Sequence, residues 1–358
     1  MYESAVFRFY ALSHGIEGRR AVYCSADTFL HFYVEGDGMT LQLMKVCFIG
    51  IMEVIAIGII GALIIGGVKR SDEFMGVMSN LFVKITLPCL VFSNMATRFD
   101  TGGLPYWWLF PLLGIALFAA GGLLGYCYSR IDRSVQYPGV FSASITFHNS
   151  ILLPLAFAPV LFEGEQLSMF LNLLFLYNIL TIPSFFTFGM WMVHTSTKRR
   201  FRPLDVFNPP NVATVLGLIF VFAGWNRFLP GRLIDQLTLF GSLSSPLSIL
   251  IVGGTIVAGF SSVSLGDLKT PLKIMILKSF VLPILAAIVV YLTRPSEYIA
   301  LFIVLGSVMP VGSIIAVIIP PEKDVRNMVA GGILLSNLAS IVVVPVFFSF
   351  FGLLYGWG

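Results

Sequence analysis

Apolar runs of bilayer length recur along almost the whole chain, and that pattern leaves few folds open. A helix that crosses a bilayer needs about 20 consecutive, mostly apolar residues. Such runs stand at roughly 44–67, 73–96, 105–128, 137–162, 166–193, 210–228, 233–260, 271–292, 296–320 and 326–354. Hydrocarbon offers no partner to a backbone N–H or C=O, so each run has to satisfy its own, and helices do that within one segment. The expected fold class is an all-α polytopic membrane protein with ten transmembrane helices. Charge agrees: Asp, Glu, Lys and Arg make up 11 % of the chain. A soluble domain carries roughly 25 %.

The remaining composition excludes more than it assigns. The net charge is +4, but the basic residues sit in short loops between apolar runs, which speaks for topology and against a nucleic-acid partner. Cys24, Cys47, Cys89 and Cys127 form no CxxC pair and read as free thiols in helices. No metal or cofactor site is expected. Residues 1–38 carry eight of the chain's charged groups and no apolar leader core. They read as a polar N-terminal extension, with Met39 as the alternative first residue.

Four landmarks repeat at nearly one offset. Gly61 and Gly217 are 156 residues apart, Pro88 and Pro246 158, Pro154 and Pro310 156, and Asn178 and Asn337 159. Two five-helix halves follow, 39–203 and 204–358, and an odd number of spans per half forces opposite orientations. Such inverted repeats are a common plan of secondary transporters. The loops after the odd-numbered spans hold twelve Lys and Arg, the opposite loops four. The richer side is expected in the cytoplasm and both termini outside, in a bacterial inner membrane given the short loops.

The fourth and ninth runs carry polar and helix-breaking residues at their centres. His148, Asn149 and Ser150 precede Pro154; Gly306, Ser307, Pro310, Gly312 and Ser313 cluster in the ninth. Proline removes a backbone donor and clashes with the preceding turn. Broken helices at matching places in two halves point to a midplane site, and half-helix N-termini suit an anion. The candidate substrate-binding residues are therefore Asn149, Ser150, Pro154, Pro310, Gly312 and Ser313. The alternative is that these prolines only kink packed helices.

The stretches MSNLFVKITLPCLVFSNMA (78–96), FHNSILLPLAF (147–157), NPPNVATVLGLIF (208–220), LSSPLSILIVGGTI (243–256) and VMPVGSIIAVIIP (308–320) stand in one order. In them the chain resembles the auxin efflux carrier family, which includes plant PIN proteins and bacterial organic-acid permeases. The resemblance implies a scaffold of spans one, two, six and seven, a mobile domain of the other six, and crossover helices four and nine. It also implies a homodimer through the scaffold, with Asn149 as the crossover asparagine and Pro154 and Pro310 as the crossover prolines. Ile314 and Leu152 stand where family members often carry Asn, so indole acetate does not follow as the substrate.

Charged groups inside a span suggest function, since burying one costs about 3 kcal/mol or more. Glu53 and His148 are candidates for coupling to a proton. Lys84 is a third, either paired with Glu53 or snorkelling to the interface, as Lys278 is also expected to do. Asn178 and Asn337 read as interhelical hydrogen-bonding residues. No HExxH or GxSxG occurs, so an intramembrane enzyme is not expected. The function expected is a secondary transporter that exports a small organic anion, a carboxylate, by alternating access. A sodium-coupled symporter on the same plan and a non-transporting sensor are the alternatives.

Overall fold

The computed structural model describes most of residues 48–63, then 71–99, 106–193, 209–262, 268–313, 315, 319 and 322–355. The N-terminal extension and the boundary between the two expected halves lie outside these residues. The described part is helical, and among its residues the one β contact is an isolated bridge between His148 and Val311.

Helix α1 is Phe48–Gly61. Helix α2 comprises Ser71–Leu81, a π turn at Phe82–Thr86 and Leu87–Arg98. Helix α3 is Leu109–Ile131, α4 Pro138–Thr146 and α5 Leu152–Leu161. Helix α6 runs from Gly164–Ser184 through a π turn at Phe185–Gly189 into Met190–Val193. Then come α7 (Pro209–Phe222), α8 (Gly231–Ser242) and α9 (Ser244–Ser262). Helix α10 comprises Lys269–Ile276, a π turn at Leu277–Val281 and Leu282–Thr293. Helices α11 (Glu297–Val308) and α12 (Lys323–Tyr355) complete the set.

Five helical stretches among the described residues are long and apolar enough to cross a membrane: Gly76–Thr97, Leu109–Ile131, Gly231–Gly254, Lys269–Thr293 and Lys323–Tyr355. Large apolar side chains such as Leu123, Trp191 and Leu292 face outward. Water would penalise that surface, and lipid tails solvate it. The chain is a multi-pass integral membrane protein.

Proline explains two of the π turns. Pro88 and Pro283 have no N–H to give to the carbonyl one turn earlier. The ladder widens just before each: Leu87 N–H donates to Phe82 O, and Leu282 N–H to Leu277 O. A fifth residue is thereby absorbed into the turn. In α10 this leaves Leu277, Lys278 and Ser279 all buried.

Small residues let the helices touch. A Cβ on Gly125 would lie 2.7 Å from Ser142 Cα, and one on Gly121 2.9 Å from Ile145 O, so α3 rests against the backbone of α4. A Cβ on Gly253 would overlap the Gly58 carbonyl, which marks the same kind of contact between α9 and α1. Helix α7 packs along α2, α6 along α3, and α12 along α10 and α11.

One ion pair ties the α3–α4 turn to the start of α10. Lys273 Nζ is 2.7 Å from Asp132 Oδ2. Asp132 Oδ1 accepts the Ser134 N–H at 3.0 Å and its hydroxyl at 2.7 Å. The hydrogen bond from Lys273, then those from Ser134, hold the Asp132 carboxyl well below the usual carboxylate range.

Two outcomes are expected. Gly125→Leu should overpack the α3–α4 contact and cost about 1–3 kcal/mol, read as a lower unfolding temperature in detergent; an unchanged temperature would refute the close approach. A depressed carboxyl stabilises the fold above its unfolded value near 4 and loses that contribution as pH falls through the folded value. Asp132→Asn should therefore unfold at lower temperature than wild type at pH 7. The gap should narrow as the pH is taken below about 4.

Candidate functional site

Two helices break where the sequence placed polar and proline residues, and the breaks meet. Helix α4 ends at Thr146, and Phe147 is already extended (φ −90°, ψ 107°). Helix α5 restarts at Leu152. Helix α11 ends at Val308, and Met309 is extended (φ −63°, ψ 137°). Across the gap, the Asn149 N–H donates to Pro310 O at 2.8 Å and the Gly312 N–H to Phe147 O at 2.9 Å. His148 and Val311 thus form a two-bond antiparallel bridge in the middle of a helical bundle. The backbones are so close that a Cβ on Gly312 would lie 3.0 Å from His148 O.

The position of each break follows from backbone accounting. An α-helix needs the N–H of residue i for the carbonyl of residue i−4. Pro154 has none to offer Ser150 O, just ahead of α5; Asn178 Nδ2 of α6 donates to that carbonyl at 3.1 Å. Pro310 has none, so Gly306 O loses its donor; Lys278 Nζ of α10 reaches it at 3.4 Å and Ser307 O at 3.2 Å. Pro183 has none, and Ile179 O accepts Asn211 Nδ2 of α7 at 3.3 Å. Each of these three carbonyls is met by a side chain of another helix. Pro154 itself lies in the first turn of α5, where no N–H is required.

The candidate residues take distinct places. Asn149 is buried; its Oδ1 accepts the Leu153 N–H at 3.3 Å and caps α5. Its amide nitrogen makes no hydrogen bond to a described residue. The Ser150 hydroxyl donates to Asn178 Oδ1, which also accepts Thr181 Oγ1 at 3.1 Å. Asn178 Nδ2 donates to Leu174 O at 2.8 Å as well. Asn178 is therefore fully occupied as a latch between α6 and the first break, the interhelical part the sequence suggested. Asn337 donates within its own helix, to Ile333 O at 2.8 Å. Its neighbour Ser336 holds the second break instead, accepting the Val311 N–H at 3.0 Å. Ser313 follows the bridge, half-buried.

His148 Nε2 lies 2.9 Å from the Tyr177 hydroxyl. The Phe118 ring meets the imidazole edge-on at 5.1 Å, and Phe147 packs against Phe118 and Phe185. Of the three coupling candidates, His148 is at the crossover. Glu53 and Lys84 are exposed on α1 and α2 and form no ion pair with each other. Lys278 does not snorkel: it is 0 % exposed and bonds to the end of α11. Sequence reasoning missed it because its partner is the carbonyl orphaned by Pro310, in another span. Among the described residues no three His, Cys, Asp or Glu gather as a metal site. Cys89 and Cys127 are free thiols.

The latch makes a prediction. Asn178→Leu would leave Ser150 O and the Ser150 hydroxyl without partners, at about 1–3 kcal/mol for each buried group. It should lower the unfolding temperature much more than Asn337→Leu, which breaks a bond within one helix. Equal effects of the two variants, measured side by side in detergent, would contradict the latch.

Comparison with known proteins fits this geometry. Residues 46–195, from α1 through α6 with the first break, match the family described as membrane transport protein. The protein PIN-LIKES 7 of Arabidopsis thaliana is 22 % identical over 331 aligned residues, covering 72 % of this chain and 83 % of that protein. Together with the broken helices, the match and the relative support a membrane transporter similar to those of the auxin efflux carrier family.

Proposed function

We propose that the chain exports a small organic anion by alternating access, through ten spans built as two inverted five-helix repeats, 39–203 and 204–358. The observation that carries this reading is the backbone bridge between two broken helices, Asn149 N–H to Pro310 O and Gly312 N–H to Phe147 O. Irregular backbone inside a membrane is tolerated where protein or a water-filled cavity surrounds it, and in carriers it marks the substrate site.

The repeat is supported by parallel partnerships. Tyr177 and Asn178 of α6 hold His148 and Ser150 beside the first break. Ser336 of α12, next to Asn337 and 159 residues after Tyr177, holds Val311 in the second. Both first half-helices end in an extended residue, Phe147 and Met309.

The anionic cargo is supported by the polar ends that meet there. Helix α5 presents its N-terminus to the crossover, with partial positive charge and backbone donors. The unused Asn149 amide adds a donor, and the buried charged side chain nearby is the cation Lys278. Asn149, Pro310, Gly312 and Ser313 are the cargo residues in this reading. Ser150 and Pro154 act one step away, by fixing the start of α5. A potential of 100 mV, negative inside, contributes about 2.3 kcal/mol per charge moved, which drives an anion outward without a coupling ion.

The test is efflux of radiolabelled malate, malonate, benzoate and indole acetate from proteoliposomes, with and without an imposed potential. Potential-driven efflux of one acid is expected, reduced at least tenfold by Asn149→Ala, since a factor of ten is about 1.4 kcal/mol, roughly one hydrogen bond. Equal efflux from folded Asn149→Ala protein would remove Asn149 from the site. No efflux of any acid would overturn the anion reading.

A further inference from the structure

The transport reading draws on Lys278 only for the sign of its charge and leaves its position unexplained. Lys278 is 0 % exposed, as fully enclosed as any apolar core residue. Its ammonium has three donors. Two reach Gly306 O at 3.4 Å and Ser307 O at 3.2 Å, the carbonyls that close α11 just before the break. The third has no partner among the described residues. The next side chain, Ser279, is also buried, and its hydroxyl has no partner there either. No carboxylate among the described residues pairs with Lys278. The nearby titratable groups are Tyr177, whose hydroxyl would lie 2.5 Å from a Cβ on Gly306, and His148, whose Nε2 lies 2.9 Å from that hydroxyl.

Stability alone does not account for this arrangement. A charge in the membrane interior costs about 3 kcal/mol or more, and apolar replacement of buried charges is often neutral or stabilising. What the ammonium meets is the negative end of a helix dipole and a carbonyl freed by Pro310. In carriers built on broken helices, half-helix C-terminal ends and unwound carbonyls are where a transported sodium ion or proton is held. At the end of α11 that place is filled by a side chain of the protein.

We propose that Lys278 is a built-in cation: its ammonium fills a monovalent-cation site formed by the Gly306 and Ser307 carbonyls, and the carrier therefore works without taking up sodium. The second clause rests on the transport reading above; the first does not. Lys278 provides a cationic group at the crossover as part of the chain, where a sodium-coupled carrier would acquire its cation with each cycle. Removal of the side chain leaves carbonyl oxygens facing an opening of ammonium size, which a small free cation can enter.

The test uses the purified full-length chain in detergent, with Lys278→Ala beside wild type. Thermal unfolding is followed in sodium chloride, ethylammonium chloride and choline chloride at equal ionic strength. Wild type should unfold at one temperature in all three salts. The variant should be more stable in sodium or ethylammonium than in choline, which is too large to enter, by about 3 °C or more. A variant indifferent to the cation would overturn the proposal, and so would a sodium-specific rise in wild type. Should the variant fail to fold, binding of radioactive sodium to wild type decides: none is expected, and saturable binding overturns the proposal. Failure of the transport reading would look different, with no acid moved in proteoliposomes while the salt response of the variant stands.

Discussion

A carbonyl that loses its helical donor inside a membrane has no water to turn to, and the arrangement of this bundle follows from that constraint. Among the prolines of these helices, Pro154, Pro183 and Pro310 leave such carbonyls at Ser150, Ile179 and Gly306. Three side chains meet them: Asn178, Asn211 and Lys278. The bonds run from the first break to α6, from α6 to α7, and from α11 to α10. Proline is usually read as a loosening element in a helix. Here these three prolines instead mark places where one helix is held by another.

The crossover builds on those attachments. Asn178 fixes the chain on one side of the first bridge strand and Ser336 fixes the other strand directly through Val311. The bridge itself is only two hydrogen bonds, each worth about 1 kcal/mol net. It sets direction more than strength: it aims the N-terminus of α5 and the C-terminus of α11 at one region. Opposite partial charges are thereby brought together within a shell of apolar rings from Phe118, Phe147 and Phe185. Low polarity around helix ends strengthens their electrostatics.

Much of this was legible in the sequence, because span length and proline position act locally. The fourth run, read at 137–162, appears as α4 and α5 from Pro138 to Leu161 with a break inside. The third, read at 105–128, appears at Leu109–Ile131. The seventh run, read at 233–260, appears as α8 and α9, which meet at Leu243 ahead of Pro246 and together contain the membrane-length stretch Gly231–Gly254. What the sequence hid were partners. Pro154 marks the first break but sits beyond it, because a missing N–H acts one turn earlier, at Ser150. Ser150, read as a cargo residue, gives its hydroxyl to Asn178. Lys278 was read as snorkelling because a long stem on a membrane helix permits it. Only the fold shows that its ammonium points to the end of α11 instead. Pairings of this kind join residues far apart in the chain, and no local pattern announces them.

The central claim is that the crossover lines a site reached from both sides of the membrane. The most direct measurement places a single cysteine at Ser313, half-buried beside the bridge, after replacement of Cys24, Cys47, Cys89 and Cys127. A membrane-impermeant maleimide is then applied to right-side-out and to inside-out vesicles. Labelling from both sides, slowed in each case by an excess of the transported acid, is the predicted result. Labelling from one side only, or labelling that the acid leaves unchanged, would contradict the account.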